Sequence, residues 1–147
     1  MSSSATVASK PSLALKRRIN APPAKVYEAW TDPAKLARWF GPHRVESVQV
    51  EIDLRVGGRY RMVAQTEQGR HEVGGIYREV RPSEKLVFTW AWHSTPERES
   101  LVTVLLKPDG DGTLLTLTHE QFFDEGARDR HQVGWSEALD KLVALFA

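Results

Sequence analysis

The sequence contains no cysteine, and this absence excludes a disulfide framework, cysteine-ligated metal sites and thiol catalysis. It is compatible with a reducing compartment, and we therefore expect a cytoplasmic protein. An excess of charge of one sign is also lacking, because 20 Lys and Arg residues oppose 19 Asp and Glu residues and the formal charge is +1. A balanced charge provides no overall field that attracts nucleic acid or an anionic membrane. We expect neither nucleic-acid binding nor membrane insertion.

Long apolar runs are absent as well. No segment approaches the length of a membrane span, and residues 1–9 are small and polar, without the apolar core of a secretory signal. We predict a flexible N-terminal tail over residues 1–11 and a single domain over residues 12–147. A chain of 147 residues is long enough to bury about two-thirds of its unfolded surface without disulfides or metal.

The usual motifs of metal and nucleotide chemistry are missing. None of the histidines has a metal-ligand spacing, and no nucleophile elbow, phosphate-binding loop or dinucleotide fingerprint occurs. His71 and Glu72 are adjacent, so in a strand their side chains point to opposite faces and cannot share an ion. We expect no metal and no cofactor.

Two short helices are predicted near the N-terminus. Asp32-Pro33 separates them, with an N-cap carboxylate followed by proline at the first helical position. Gly41-Pro42 ends the second helix. Apolar residues recur at the i, i+3, i+4 spacing of a buried helix face: Val26, Tyr27 and Trp30 in the first helix, and Leu36, Trp39 and Phe40 in the second.

Alternating patterns over residues 44–121 predict strands. Turn signals interrupt them at 57–58, 67–69, 81–83, 94–96 and 108–112. Six strands result, a strand around 13–19 makes seven, and hairpin connections make them antiparallel. A long helix is predicted over 126–146 with one apolar stripe: Trp135, Ala138, Leu139, Leu142, Val143 and Phe146. The element order indicates an α+β protein.

Five short motifs together resemble a known superfamily. They are Trp30-Thr-Asp-Pro33, Trp39-Phe-Gly-Pro42, Val56-Gly-Gly-Arg59-Tyr60, Leu86-Val-Phe-Thr-Trp90 and Leu115-Thr-Leu-Thr-His119. Because these motifs occur in this order, residues 13–147 are similar to the helix-grip (SRPBCC) superfamily of START lipid-transfer domains and birch-pollen-allergen-like proteins. Within it, the sequence resembles the bacterial branch related to the activator of the heat-shock-protein-90 ATPase. The resemblance implies a curved antiparallel sheet wrapped on the long C-terminal helix.

A sheet curved around a helix tends to leave a space between them, and a cleft lined by aromatic side chains is the usual form of a small-molecule site. Five tryptophans are also large enough to fill that space, so the sequence leaves open whether the cavity is empty. The candidate ligand-binding residues are Trp30, Trp39, Phe40, Tyr60, Met62, Phe88, Trp90, Trp92, Leu117, His119, Gln121, Trp135, Leu139 and Leu142.

His119 is the polar candidate of most interest. Alternation places it on the inward face with Leu115, Leu117 and Gln121. It either contacts a ligand and titrates near neutrality, with Gln121 as its partner, or is a structural histidine hydrogen-bonded at the strand end; we favour the structural role.

Three functions follow as hypotheses. The first is binding of a small hydrophobic or aromatic molecule between the sheet and the terminal helix. The second is an interaction module of the chaperone or stress response, implied only by the resemblance. The third is a cavity enzyme of cyclase, dehydratase or hydrolase type, which ranks lower because the sequence offers no convincing acid–base pair. We assign no catalytic residue.

Overall fold

The computed structural model describes residues 10–147, so most of the predicted tail over residues 1–11 lies outside the described residues. Seven strands are present: β1 (Leu13–Ile19), β2 (Ser47–Ile52), β3 (Arg59–Thr66), β4 (Gly69–Arg81), β5 (Lys85–Trp92), β6 (Ser100–Asp109) and β7 (Gly112–Glu120). Three helices accompany them: α1 (Pro23–Thr31), α2 (Pro33–Leu36) and α3 (Glu125–Leu145).

The strands form one antiparallel sheet in the order β1-β7-β6-β5-β4-β3-β2. Strands β2 to β7 follow each other through hairpins at the five predicted turns. Strand β1 instead pairs with the last strand, so that Leu13 is opposite His119 and Ile19 is opposite Thr113. The predicted α+β helix-grip architecture is confirmed.

Glycines shape the sheet at the predicted turn over residues 57–58 and within β4. Gly57 lies between β2 and β3 with a φ of +85°, a conformation that other residues rarely adopt. In β4, a Cβ at Gly75 would lie 2.0 Å from the Thr89 carbonyl oxygen of β5. Just beyond it, the pairing of β4 with β5 shifts register between Tyr77 and Glu79. Such an irregularity increases the local twist and bends the strand.

The second helix begins at Pro33 as predicted, but it is shorter than predicted. Asp32 caps α2, accepting hydrogen bonds from the N–H groups of Ala34 at 3.0 Å and Lys35 at 3.3 Å. The helix ends at Leu36, and the next residues continue as turns rather than as the predicted helix through Phe40. Trp39 and Phe40 are nevertheless buried, because the Phe40 N–H still bonds the Leu36 carbonyl and keeps the helix-like spacing.

Helix α3 packs its predicted stripe against the sheet. Asp124 caps it by accepting from the Ala127 N–H at 2.8 Å. Trp135, Leu139 and Leu142 are buried, and Val143 and Phe146 at the end of the predicted stripe are partly buried against the core. No helix within residues 10–147 is long and apolar enough to cross a membrane.

Candidate ligand-binding site

A cavity of about 620 Å³ lies between one end of the sheet and the first half of α3. The ends of β3 and β5, the start of β4 and the segment after α2 border it. Its apolar wall consists of Phe40, Pro42, Ala64, Trp90, Trp92, Trp135 and Ala138. Its polar surroundings consist of Thr66, Gln68, Arg70, His71, Glu72, His93, Ser94, Arg130 and His131, with Gly41 and Gly134 contributing backbone.

Four of the residues in the apolar wall are aromatic, and their rings contact one another. The ring centroids of Trp90 and Trp135 are 5.1 Å apart, and Phe40 lies 6.2 Å from Trp90 and 6.4 Å from Trp135. Trp92 meets Trp90 edge to face at 5.6 Å. Such rings offer flat apolar surfaces to a ligand, and their contacts with one another hold them in place.

A hydrogen bond between Trp92 and His131 connects β5 to α3 beside the cavity. The indole N–H of Trp92 donates to His131 Nε2 at 2.8 Å, and His131 Nδ1 lies 2.7 Å from the Ala127 carbonyl oxygen. Because an indole N–H can only donate, Nε2 accepts and Nδ1 carries the proton that goes to Ala127. Burial, together with the positive charge of Arg130, lowers the pKa of His131, so the neutral ring is favoured.

His119 lies behind the cavity wall and is fully buried. Its Nδ1 accepts from the Trp135 indole N–H at 3.0 Å, and its Nε2 lies 2.7 Å from Ser100 Oγ. Ser100 Oγ in turn donates to the Trp90 carbonyl oxygen at 3.2 Å. Burial is the main cause that lowers the pKa of His119 from 6.5 to about 2. The ring is therefore a structural hydrogen-bonding group, which is the role favoured from the sequence, and the lowered pKa does not fit the alternative of titration near neutrality.

Gln121 does not take part in this arrangement, contrary to the prediction. Strand β7 ends at Glu120, and Gln121 has a φ of +67° and is exposed. The period-two alternation that predicted an inward Gln121 therefore ends with the strand at Glu120, one residue before Gln121. Trp135 and Ser100 are the partners of His119 instead.

The other candidates separate into three groups. Those that line the cavity are Phe40, Trp90, Trp92 and Trp135. Those that surround a second, much smaller void are Trp30, Tyr60, Met62 and Phe88, with Phe40 and Trp135 bordering both spaces. Those buried in the core that border neither space are Trp39, Leu117, His119, Leu139 and Leu142.

Around the second void, the aromatic side chains fill almost all of the space. Its volume is about 20 Å³, close to the ~10–15 Å³ that one water molecule requires. Tyr60, Tyr77 and Phe88 pack there with ring centroids 5.2 to 5.9 Å apart. The sequence left open whether the interior is filled or empty. Side chains nearly fill it around Tyr60, Tyr77 and Phe88, whereas the larger cavity lies at the other end of the sheet.

Several residues around the cavity were not among the candidates. His131 and Gly134 precede Trp135 on the same helical face, so extending the predicted stripe by one turn towards the N-terminus would have included them. Ala138 was already part of that stripe but was not among the candidates. Gln68 and Ser94 lie in or next to hairpin turns, where alternation no longer indicates direction. His71 forms a 3.1 Å contact between its Nε2 and Thr66 Oγ1 across the β3–β4 hairpin.

No group of three His, Asp or Glu side chains within residues 10–147 is placed to hold a metal ion. The arrangement offers instead an aromatic wall, beside which both ring nitrogens of the neutral His131 are occupied by protein partners.

A curved antiparallel sheet packed on a long C-terminal helix, with two short helices after the first strand, defines a helix-grip protein. This class is known for ligand binding. Residues 20–147 match the family described as Activator of Hsp90 ATPase homolog 1-like protein. The chain belongs to this family, and the predicted bacterial branch of the superfamily is confirmed.

Solved structures of bacterial proteins are similar over most of the chain. Protein CV1439 from Chromobacterium violaceum is 31% identical, with a TM-score of 0.79, and the match covers 92% of this chain and 97% of that one. The AHSA1 protein from Silicibacter pomeroyi is 31% identical, with a TM-score of 0.78 and coverages of 91% and 96%. CalU16 from Micromonospora echinospora is also 31% identical, with a TM-score of 0.71 and coverages of 92% and 74%. No protein of curated function matches the sequence.

Proposed function

We propose that this protein binds a small apolar or aromatic molecule in the cavity between the sheet and α3. The observation that carries the proposal is the cavity itself, whose volume of about 620 Å³ lies within the ~300–1,000 Å³ typical of ligand sites. Four aromatic side chains line it, and polar side chains gather around it, as expected for a site that buries an apolar body and orients it by a few polar contacts.

The hydrogen bonding of His119 and His131 supports a positioning role rather than a catalytic role for these two residues. A general base needs a free nitrogen within reach of the substrate proton. The acceptor nitrogens of His119 and His131 are instead occupied by the indole N–H groups of Trp135 and Trp92. These histidines hold the tryptophans of the cavity wall in position.

Gly134 provides a direct test of the site. It lies in α3 on the cavity face, and a Cβ at this position would have no heavy atom within 4 Å. A phenylalanine can therefore enter the cavity from the helix without meeting the backbone. We expect Gly134→Phe to fold and to lose affinity for the neutral fluorescent probe N-phenylnaphthylamine by about tenfold or more, because its ring occupies the space of the ligand.

Gly134→Ala is the matched control. It makes the same change to the helix backbone, raising helix propensity by ~1 kcal/mol, but adds only a methyl group to the cavity. We expect Gly134→Ala to bind the probe within about twofold of the wild type. Equal binding by Gly134→Phe, with both variants folded by circular dichroism, or no probe binding by the wild type, would overturn the proposal.

A further inference from the structure

The charged and titratable side chains around the cavity are mainly basic. Arg70, Arg130, His71 and His93 surround it together with one carboxylate, that of Glu72. Whether the cavity favours a cationic or an anionic ligand therefore depends on whether this carboxylate is already paired with protein cations.

The carboxylate of Glu72 is neutralised by its own neighbours. Its oxygens accept from Arg61 Nε at 2.8 Å and Nη2 at 3.3 Å, and Arg70 Nη1 lies 3.2 Å from Oε1. Arg61 also pairs with Glu51 at 2.8 Å. The hydrogen bond from Arg61 is the largest cause that lowers the pKa of Glu72. This cluster contains two arginines and two glutamates and is therefore electrically balanced, leaving no spare negative charge for a cationic ligand.

Arg130 has no such counter-ion. It forms no ion pair within residues 10–147. The position that a Cβ on Gly126 would take lies 3.2 Å from Arg130 Nη1 and 3.6 Å from Asp124 Oδ1, so the guanidinium lies along the first turn of α3, near this carboxylate. The helix dipole is also positive at this end. The carboxylate of Asp124, at the same end, accepts a hydrogen bond from the Ala127 N–H.

Arg130 lines the cavity beside His131, whose pKa is lowered mainly by burial and further by the positive charge of Arg130. Since His131 accepts the Trp92 N–H, it is itself neutral and adds no charge. The cavity thus combines an aromatic interior with a cation at its edge, Arg130, that forms no ion pair within the described residues.

We propose that the ligand of this cavity is an amphipathic anion, with an aromatic or aliphatic body against the tryptophans and one acidic group bound by Arg130. This inference rests on the proposed function, because it requires that the apolar body occupies the cavity. Arg130 then acts as a specificity-determining residue, favouring acids over neutral molecules of the same shape. A guanidinium suits this role because its planar N–H groups match the oxygens of a carboxylate or sulfonate.

Two fluorescent probes with the same ring system separate the two proposals. Anilinonaphthalene sulfonate carries an acidic group, and N-phenylnaphthylamine is the same skeleton without it. Their affinities are measured by titration against the wild type, Arg130→Gln and Arg78→Gln, at low and at high salt. Arg78 is the matched control, because it is exposed, forms no ion pair within the described part of the chain and does not line the cavity.

We expect the wild type to bind the sulfonate more tightly than the neutral probe. Arg130→Gln is expected to weaken sulfonate binding by about two- to fivefold at low salt and less at high salt, as for a partly exposed ion pair. Its affinity for the neutral probe, and both affinities of Arg78→Gln, remain at the wild-type value. Sulfonate binding that Arg130→Gln leaves unchanged, or equal losses for both probes, would overturn the anion proposal while leaving apolar binding intact. Failure of the wild type to bind either probe would overturn both proposals.

Discussion

At the scale of single residues, the least expected feature is the paired use of histidine as an acceptor for tryptophan. His119 receives the N–H of Trp135, and His131 receives that of Trp92. Both tryptophans line the cavity. A buried indole N–H without a partner is costly, so each histidine fixes the direction of a large ring. The acceptor role requires the neutral ring, and the stability of the protein should therefore depend on pH.

The effect is predicted to be largest for His119. Above pH 6.5 the residue is neutral in both the folded and the unfolded chain. Below this value the unfolded chain takes up a proton that the folded protein accepts only at about pH 2. The free energy of unfolding should thus decrease as the pH falls below 6.5, by roughly 1.4 kcal/mol per pH unit from this residue.

His119→Gln tests this prediction, because glutamine can accept from Trp135 and donate to Ser100 but does not titrate. Urea unfolding of both proteins is measured at a series of pH values between neutrality and weak acid. The carboxylates and His131 contribute to both profiles. The wild type should therefore show the steeper loss of stability, because only its profile includes the titration of His119. Parallel profiles would contradict a neutral, buried His119.

At the scale of elements, the turn chemistry of the sequence was sufficient to predict the strands. The five turn signals correspond to the five hairpins, and Gly57 has the positive φ expected of its turn. The end of α2 could not be predicted in the same way, because Leu36, Trp39 and Phe40 keep an i, i+3, i+4 spacing even where the backbone continues only as turns. Spacing alone indicates which side chains share a face, and it does not distinguish a helix from a succession of turns.

The bend of the sheet depends on close approach of two strands at Gly75. Because a Cβ there would lie 2.0 Å from the Thr89 carbonyl oxygen, we expect Gly75→Ala to lower the free energy of unfolding by about 1–3 kcal/mol. Gly134→Ala is the control at an open position, where the same substitution should raise it by about 0.5–1 kcal/mol. Denaturant unfolding of the two variants measures both changes. Wild-type stability for Gly75→Ala would mean that β4 and β5 are further apart than described.

At the scale of the whole molecule, the interior is divided between a filled end and an empty end. Phe88 and Trp90 share one face of β5, yet Phe88 packs against Tyr60 and Tyr77, whereas Trp90 borders the cavity. Period-two alternation correctly placed both residues inward. It could not predict which of them meets empty space, because that depends on how far α3 and the segment after α2 extend over the sheet.

The polar residues around the cavity could not be predicted either, because their position also depends on how the elements pack together. Glu72 lies in β4, and Arg130 lies in α3 a little more than one turn before the predicted apolar stripe begins at Trp135. Only the packing of α3 on the sheet brings them to the same cavity. The candidate list drawn from the sequence therefore contained four of the aromatic wall residues but none of the charged ones.

The five indole N–H signals of the protein provide the most direct measurement of where a ligand binds. Trp90, Trp92 and Trp135 line the cavity, whereas Trp39 is fully buried elsewhere with its N–H bonded to the Ala29 carbonyl. In ¹H–¹⁵N spectra assigned by single Trp→Phe variants, titration with N-phenylnaphthylamine should shift the three cavity signals and leave that of Trp39 in place. The same titration of Gly134→Phe should need at least about tenfold more probe to produce these shifts. Saturating probe that leaves the three cavity signals unchanged, or that shifts Trp39 alone, would contradict ligand binding between the sheet and α3.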